Sequence, residues 1–296
     1  MARSFQTGFG ARLRQVRPSL DIALAEQGTF VIEASISPEE ARGRAATYKG
    51  SAFGALAQLF SKPKPDDVAV EARGLRYEPF WHATCHVRIV YDRRETYRFA
   101  VKTPDHVASI SFGDATYPVE AGTIAIPALA HCVRDRRQEL WIDAASGETV
   151  AARTLDPAKI SAVELEHFPP PGAEVVQPTV RASAVVRQLL GSDTAPIEAD
   201  SLSESRADVE RLDLYFRPVY PFTLSWAAKG KSVDIVLDAM TGEIATVKGG
   251  LHPVLGRLLH KDVLFDIGSE TLNLVVPGAS IPLRLVEALS RKREPH

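Results

Sequence analysis

A six-residue phrase occurs twice in this chain, as DAASGE at residues 143–148 and as DAMTGE at residues 238–243. Each copy follows a short apolar run and precedes β-branched residues, which predicts strand, tight turn, strand. Asp143 and Asp238 can accept hydrogen bonds from the next backbone amides. Gly147 and Gly242 supply the positive φ that lets a type I turn rejoin its ladder. The four residues read as turn formers, and a chain that writes one hairpin twice is expected to carry a duplicated architecture.

The repetition extends upstream. LRYEPFWHATCHV at residues 75–87 and LYFRPVYPFTLSW at residues 214–226 each place one proline, Pro79 or Pro218, in an aromatic strand. Proline donates nothing to a central ladder, so both positions suit a strand start, an edge or a bulge. Further upstream each half carries a predicted helix. The first opens on SPEE, with Ser37 as N-cap, Pro38 in the first turn and Glu40 closing a capping box. The second covers about residues 180–190, with Val185, Val186 and Leu189 on one face and Gly191 as its stop. The order helix, aromatic strand, hairpin is thus the same in both halves, with roughly forty extra residues in the first.

A helix followed by strands that end in a D-A-x-[ST]-G-E hairpin resembles the PepSY module, a small α+β unit of peptidase propeptides and of membrane-associated bacterial proteins. VDIVLDAMTGEI at residues 233–244 is the closer match, and the first half departs from the pattern by its insertion. The resemblance implies a binding or inhibitory module of bacterial type without catalytic residues.

With 296 residues and 45% hydrophobic content the chain can bury two ordinary cores,. A formal charge of -2 gives no electrostatic case for nucleic acid, and the short basic stretches at Arg12–Arg14–Arg17, Arg134–Arg136–Arg137 and Arg291–Arg293 read as solvated faces,. No segment has the apolar length of an integral membrane span, and the N-terminus lacks the apolar core of a secretion signal, so a cytoplasmic protein is expected. Residues 1–28 form an N-terminal segment whose basic amphipathic character is broken by Pro18 and by acidic residues, and packing against the first domain is the simpler reading. Two cysteines do not make a disulfide framework,.

Each cysteine has a histidine beside it: Cys85 with His86 in HATCH, and Cys132 with His131. Two thiolates and two imidazoles from separate strands would make a zinc site, and a zinc-binding enzyme or metal sensor is therefore the alternative function. Strand alternation argues against it, because Trp81, Ala83, Cys85 and Val87 would share a core face while His82, Thr84, His86 and Arg88 share the other. Neither C-x-x-C nor H-x-x-x-H spacing is present. No nucleophile elbow, phosphate loop, dinucleotide fingerprint or H-E-x-x-H is found. The repeated Asp is not the aspartic-protease pattern either, since two residues separate each Asp from the hydroxyl residue.

The predicted layout is a first α+β domain over 29–160 with a β insertion, a Pro-rich linker over 161–179, a second domain over 180–250 and a β-β-α unit over 251–296. Turns are expected at 92–95, 104–105, 113–114 and 121–122, strands in DVLFDIG and ETLNLVV, and a terminal helix over about 282–291. The fold class expected is α+β, in tandem helix-plus-antiparallel-sheet modules. The function expected is non-catalytic capture of a protein or an extended peptide, without cofactor, through a sheet edge or the aromatic surfaces of Phe80, Trp81, Tyr220 and Trp226. A subunit of a larger assembly, or a homo-oligomer contact through the terminal helix, is the third reading.

Overall fold

A computed structural model of the chain describes residues 15–16, 20–53, 65–102, 106–191, 193, 195–247, 254–255 and 261–267. In chain order its elements are β1 (Gln15–Val16), β2 (Asp21–Leu24), β3 (Thr29–Ile32), α1 (Pro38–Tyr48), β4 (Val68–Ala72), β5 (Arg76–Ala100), β6 (Ser109–Phe112), β7 (Ala115–Pro118) and β8 (Thr123–Asp143). Then come β9 (Ile160–Ala162), β10 (Glu174–Val176), α2 (Ala182–Leu190), β11 (Ile197–Glu198), β12 (Ser201–Trp226), β13 (Lys231–Asp238), β14 (Ile244–Thr246), β15 (Val254–Leu255) and α3 (Lys261–Leu264). Among the described residues no helix is long and apolar enough to cross a membrane.

Three long strands organise the molecule: β5 with 25 residues, β8 with 21 and β12 with 26. β12 is the spine of an 11-stranded sheet. One of its edges pairs antiparallel with β5 from Ser201 to Pro218 and then with β4 from Phe222 to Trp226. Its other edge takes β2 and β3 in parallel and β13 antiparallel. β8 runs along the far side of β5 for its whole length. Because β12 begins opposite Asp92, β5 and β8 continue beyond that point as a two-stranded ribbon, on which Tyr97, Phe99 and Leu129 are exposed.

Alternation along β12 decides where the core sits. Leu212, Leu214 and Phe216 pack with Val185, Val186 and Leu189 of α2, while Tyr220, Phe222, Leu224 and Trp226 pack with Ala41 and Ala45 of α1. These positions have one parity, so both helices cover the same side of the sheet. The opposite side carries a small aromatic cluster of Phe80, Trp141 and Tyr215 with Ile32, and otherwise a lattice of charged and histidine side chains.

The two hairpins form from the same local chemistry. Asp143 Oδ1 accepts from the amides of Ala145 and Ser146 at 2.8 Å each. Asp238 Oδ1 accepts from Met240 and Thr241 at 2.8 and 3.3 Å. Gly147 and Gly242 have φ of 81° and 77°, a region that favours glycine,.

The expectation of tandem α+β modules is overturned. Strand accounts for 53% and helix for 16% of the described chain, in one large mixed sheet that both halves share. Moreover, each helix serves the hairpin of the other half. The carbonyl of Ala144 accepts from Thr179 and Val180, which lead into α2, whereas the carbonyl of Ala239 accepts from Ser35 and Ile36, which lead into α1. Trp81 Nε1 donates to the Val180 carbonyl at 2.9 Å, and Tyr220 Oη donates to the Ile36 carbonyl at 3.1 Å. The first-half helix therefore belongs to the second hairpin, and the reverse.

Smaller expectations also change. Residues 92–95 form no turn, because Asp92, Arg93, Arg94 and Glu95 are held in β5 by pairing with β8. Residues 161–179 are not a free linker, since β9 pairs with β3 and β10 with β5, and Phe168, Val175 and Val176 are buried. In DVLFDIG the structure has helix α3 and not a strand. The ETLNLVV strand and the terminal helix lie outside the described residues, as do the turn at 104–105 and the basic residues Arg12, Arg14 and Arg17.

Candidate functional site

The site is built on a break in the ladder. β2 pairs with residues 206–209 of β12 and β3 with residues 214–216, and β12 bulges between Val209 and Arg211. Between the two pairings the chain passes over Glu26, Gln27 and Gly28. It is tied down by Ala25 N to the Val209 carbonyl and by Leu214 N to the Gly28 carbonyl, both at 2.9 Å. A cleft of about 900 Å³ opens there, walled by Phe30 and Tyr215 and lined by Glu26, Glu164, Glu210, Asp213, Arg211 and Lys261. Phe30 and Tyr215 stack with centroids 5.2 Å apart.

Behind the cleft a polar chain crosses three strands. Glu139 on β8 accepts from Trp141 Nε1 at 3.1 Å, and its Oε1 is 2.8 Å from His82 Nε2. His82 Nδ1 lies 3.3 Å from Arg211 Nη1. A guanidinium only donates, so Nδ1 accepts and Nε2–H donates to Glu139, which fixes a neutral tautomer of His82. Arg211 Nε is in turn 3.6 Å from Asp213 Oδ2, and Asp213 Oδ1 accepts from Gly28 N at 3.0 Å. The His82 ring also stacks on Trp141 at 3.8 Å.

Burial sets the electrostatics of this chain. His82 is 4% exposed, and desolvation lowers its pKa below the ordinary value against the opposing pull of Glu139, with Arg211 adding to the depression,. Burial raises the Asp213 carboxyl, opposed by the Gly28 amide and Arg211. Tyr215 is also raised, first by burial and then by the Asp213 charge. Glu139 is lowered, chiefly by its hydrogen bond with His82.

The residues singled out by sequence fall elsewhere. Phe80, Trp81, Tyr220 and Trp226 are all buried, at 3%, 0%, 6% and 5% exposure, so they form no recognition surface. Trp81 anchors α2, Tyr220 anchors α1, Trp226 contacts Phe53, and Phe80 stacks between Trp141 and Tyr215.

The Cys–His quartet is not assembled either. Cys85 is buried against the α2 side, its thiol pushed up to about 12 by burial, whereas His86 points to the other face and pairs with Asp135 at 2.7 Å. Cys132 lies opposite Tyr91, six positions or about 20 Å along β5 from Cys85,. His131 bonds Asp92 on the face away from Cys132,. Among the described residues no group of three or more His, Cys, Asp or Glu side chains is placed to hold a metal ion.

Comparison of the chain with protein-family models, with curated proteins and with solved structures finds no match. Sequence reasoning placed His82 on the polar face of its strand and missed Glu139, Arg211 and Asp213. The sequence signal for Arg211 and Asp213 is their polar alternation about Leu212; the register then sets Asp213 opposite His82, and Arg211 and Glu139 on either side of Thr84.

Proposed function

We propose that this protein is a binding module that takes an extended, positively charged segment of a partner polypeptide into the cleft beside β12. The observation that carries this reading is the composition of the cleft. Four carboxylates, Glu26, Glu164, Glu210 and Asp213, stand against Arg211 and Lys261, next to the stacked rings of Phe30 and Tyr215. Carboxylates beside an aromatic wall suit a guanidinium or ammonium group, through ion pairing of the charge and packing of its apolar stem. The interrupted ladder offers a short length of strand edge, and strand addition at such an edge gives an extended chain its direction. The excess of carboxylates disfavours a nucleic-acid backbone.

Isothermal titration with a nine-residue peptide of alternating Arg and Val, and with the same peptide carrying Glu for Arg, tests this. The Arg peptide is expected to bind and to weaken about two- to thirty-fold in the Glu164→Gln, Glu210→Gln double variant, since each lost rim ion pair removes about 0.2–1 kcal/mol. Equal binding of both peptides, or an unaffected double variant, overturns it.

A further inference from the structure

We propose that His82 is a positioning residue which makes the charge of the cleft depend on pH by holding or releasing Arg211. The inference rests on the cation-binding reading above for its consequence, and on the geometry of His82 for its mechanism.

His82 sits in the second layer of the site, one residue behind the cleft wall. It is covered by Trp141, and both ring nitrogens are engaged, Nε2 with Glu139 and Nδ1 with Arg211. The charged and titratable groups that face it are Glu139 from β8 and Arg211, Asp213 and Tyr215 from β12. While the ring is neutral, Arg211 donates to Nδ1 and is held toward the imidazole. Its Nε is then 3.6 Å from Asp213 Oδ2, an ion-pair contact without a hydrogen bond,. Asp213 Oδ1 accepts from Gly28 N, while Oδ2 has only a long contact from Tyr215 Oη at 3.5 Å and keeps the capacity to accept from a cation in the cleft,.

A proton arriving on Nδ1 removes the lone pair that Arg211 uses and puts two cations face to face. Glu139 retains its contact and now faces an imidazolium, so the ring stays in place and Arg211 is the group that must move. The acceptor nearest to it is Asp213. A closed Arg211–Asp213 pair takes the carboxylate out of the cleft and leaves the guanidinium on its wall, so affinity for a cation falls as pH falls. By linkage, a bound cation favours neutral His82 and its capture releases a proton. The depressed pKa of the buried ring places the transition below the ordinary histidine value of 6.5.

Two measurements test the proposal. The first is a pH titration of the 15N-histidine, 15N-arginine protein by NMR, without ligand. His82 is expected to show the Nε2-protonated tautomer near neutrality, and the Arg211 Nε resonance is expected to shift with the His82 midpoint. An Nδ1-protonated tautomer, or an Arg211 resonance that ignores the His82 titration, overturns the proposal.

The second measurement is the affinity of N-acetyl-arginine amide at about pH 7.5 and about pH 5. Wild type is compared with His82→Gln, whose amide can still donate and accept but cannot take a proton. The ratio of the two affinities is expected to be several-fold larger in wild type than in His82→Gln, the remainder reporting the carboxylates. Equal ratios overturn the proposal. Failure of the amide to bind at either pH, with Arg211 still following His82, removes the cation reading of the cleft and leaves the His82–Arg211 linkage standing.

Discussion

The two turn aspartates look alike in sequence and differ in what their second oxygen does. Asp143 serves its own turn amides. Asp238 Oδ2 additionally accepts from Arg153 and from Arg217 at 3.0 Å each, and Arg217 Nη2 reaches Glu78 Oε2 at 2.5 Å. Arg153 also lies over the Phe80 ring at 5.7 Å, with burial pushing its pKa down. Asp238→Asn leaves two half-buried guanidinium groups with one carboxylate between them and is expected to cost about 3 kcal/mol. Asp143→Asn keeps an acceptor in an otherwise uncharged turn and is expected to cost less than about 1 kcal/mol. Urea unfolding of the two variants checks the order, and equal losses would show that the arginines contribute nothing. The turn itself was legible because Asp, Gly and the amides they serve lie within six residues. The arginine partners were not, since Arg153 and Arg217 reach Asp238 only through the folded sheet.

At the scale of elements, the Ser37 cap and the periodicity of β5 were readable, but not the partner of each element. Ser37 caps α1 by accepting from Glu40 N at 3.2 Å, as SPEE implies, while the Glu40 carboxylate turns to Arg44 in place of closing the expected box. Residues 92–95 show the limit of local reading. A run of four charged residues has turn composition, yet Arg94 N donates to Asp200 and its neighbours face β8, so tertiary pairing keeps it extended,. The insertion that interrupts the first half is simply the far end of β5 and β8 with the β6–β7 hairpin between them. The side-chain anchors of the helices allow a direct check of the crossed pairing. Tyr220→Phe removes only the hydroxyl bonded to the Ile36 carbonyl and is expected to cost about 1 kcal/mol and to speed amide exchange in α1. Trp81→Phe removes the bond to Val180, leaves a cavity in a fully buried site, and is expected to cost about 2–3 kcal/mol and to speed exchange in α2,. Faster exchange in α2 for the tyrosine variant would contradict the assignment.

At the scale of the whole molecule, the halves cannot be separated. β12 pairs with β2, β3, β4 and β5 of the first half, α1 docks on the second hairpin, and α2 covers the core of the first. Residues 1–165 and 166–296, expressed apart, are expected to show no cooperative unfolding alone and to regain it on mixing. A cooperative transition in either fragment alone would show an independent domain after all.

The crossing also orders events during synthesis. The carbonyl that receives the start of α1 belongs to Ala239, roughly 200 residues downstream. At about 5–20 residues per second the ribosome delivers it roughly 10–40 s after the helix has emerged. The capped but weakly apolar α1 and the aromatic strand after it must wait on the nascent chain for that interval. The sheet is therefore completed only after β12 and the second hairpin have been made, and in the cell its yield depends on what shields β5 until β12 arrives.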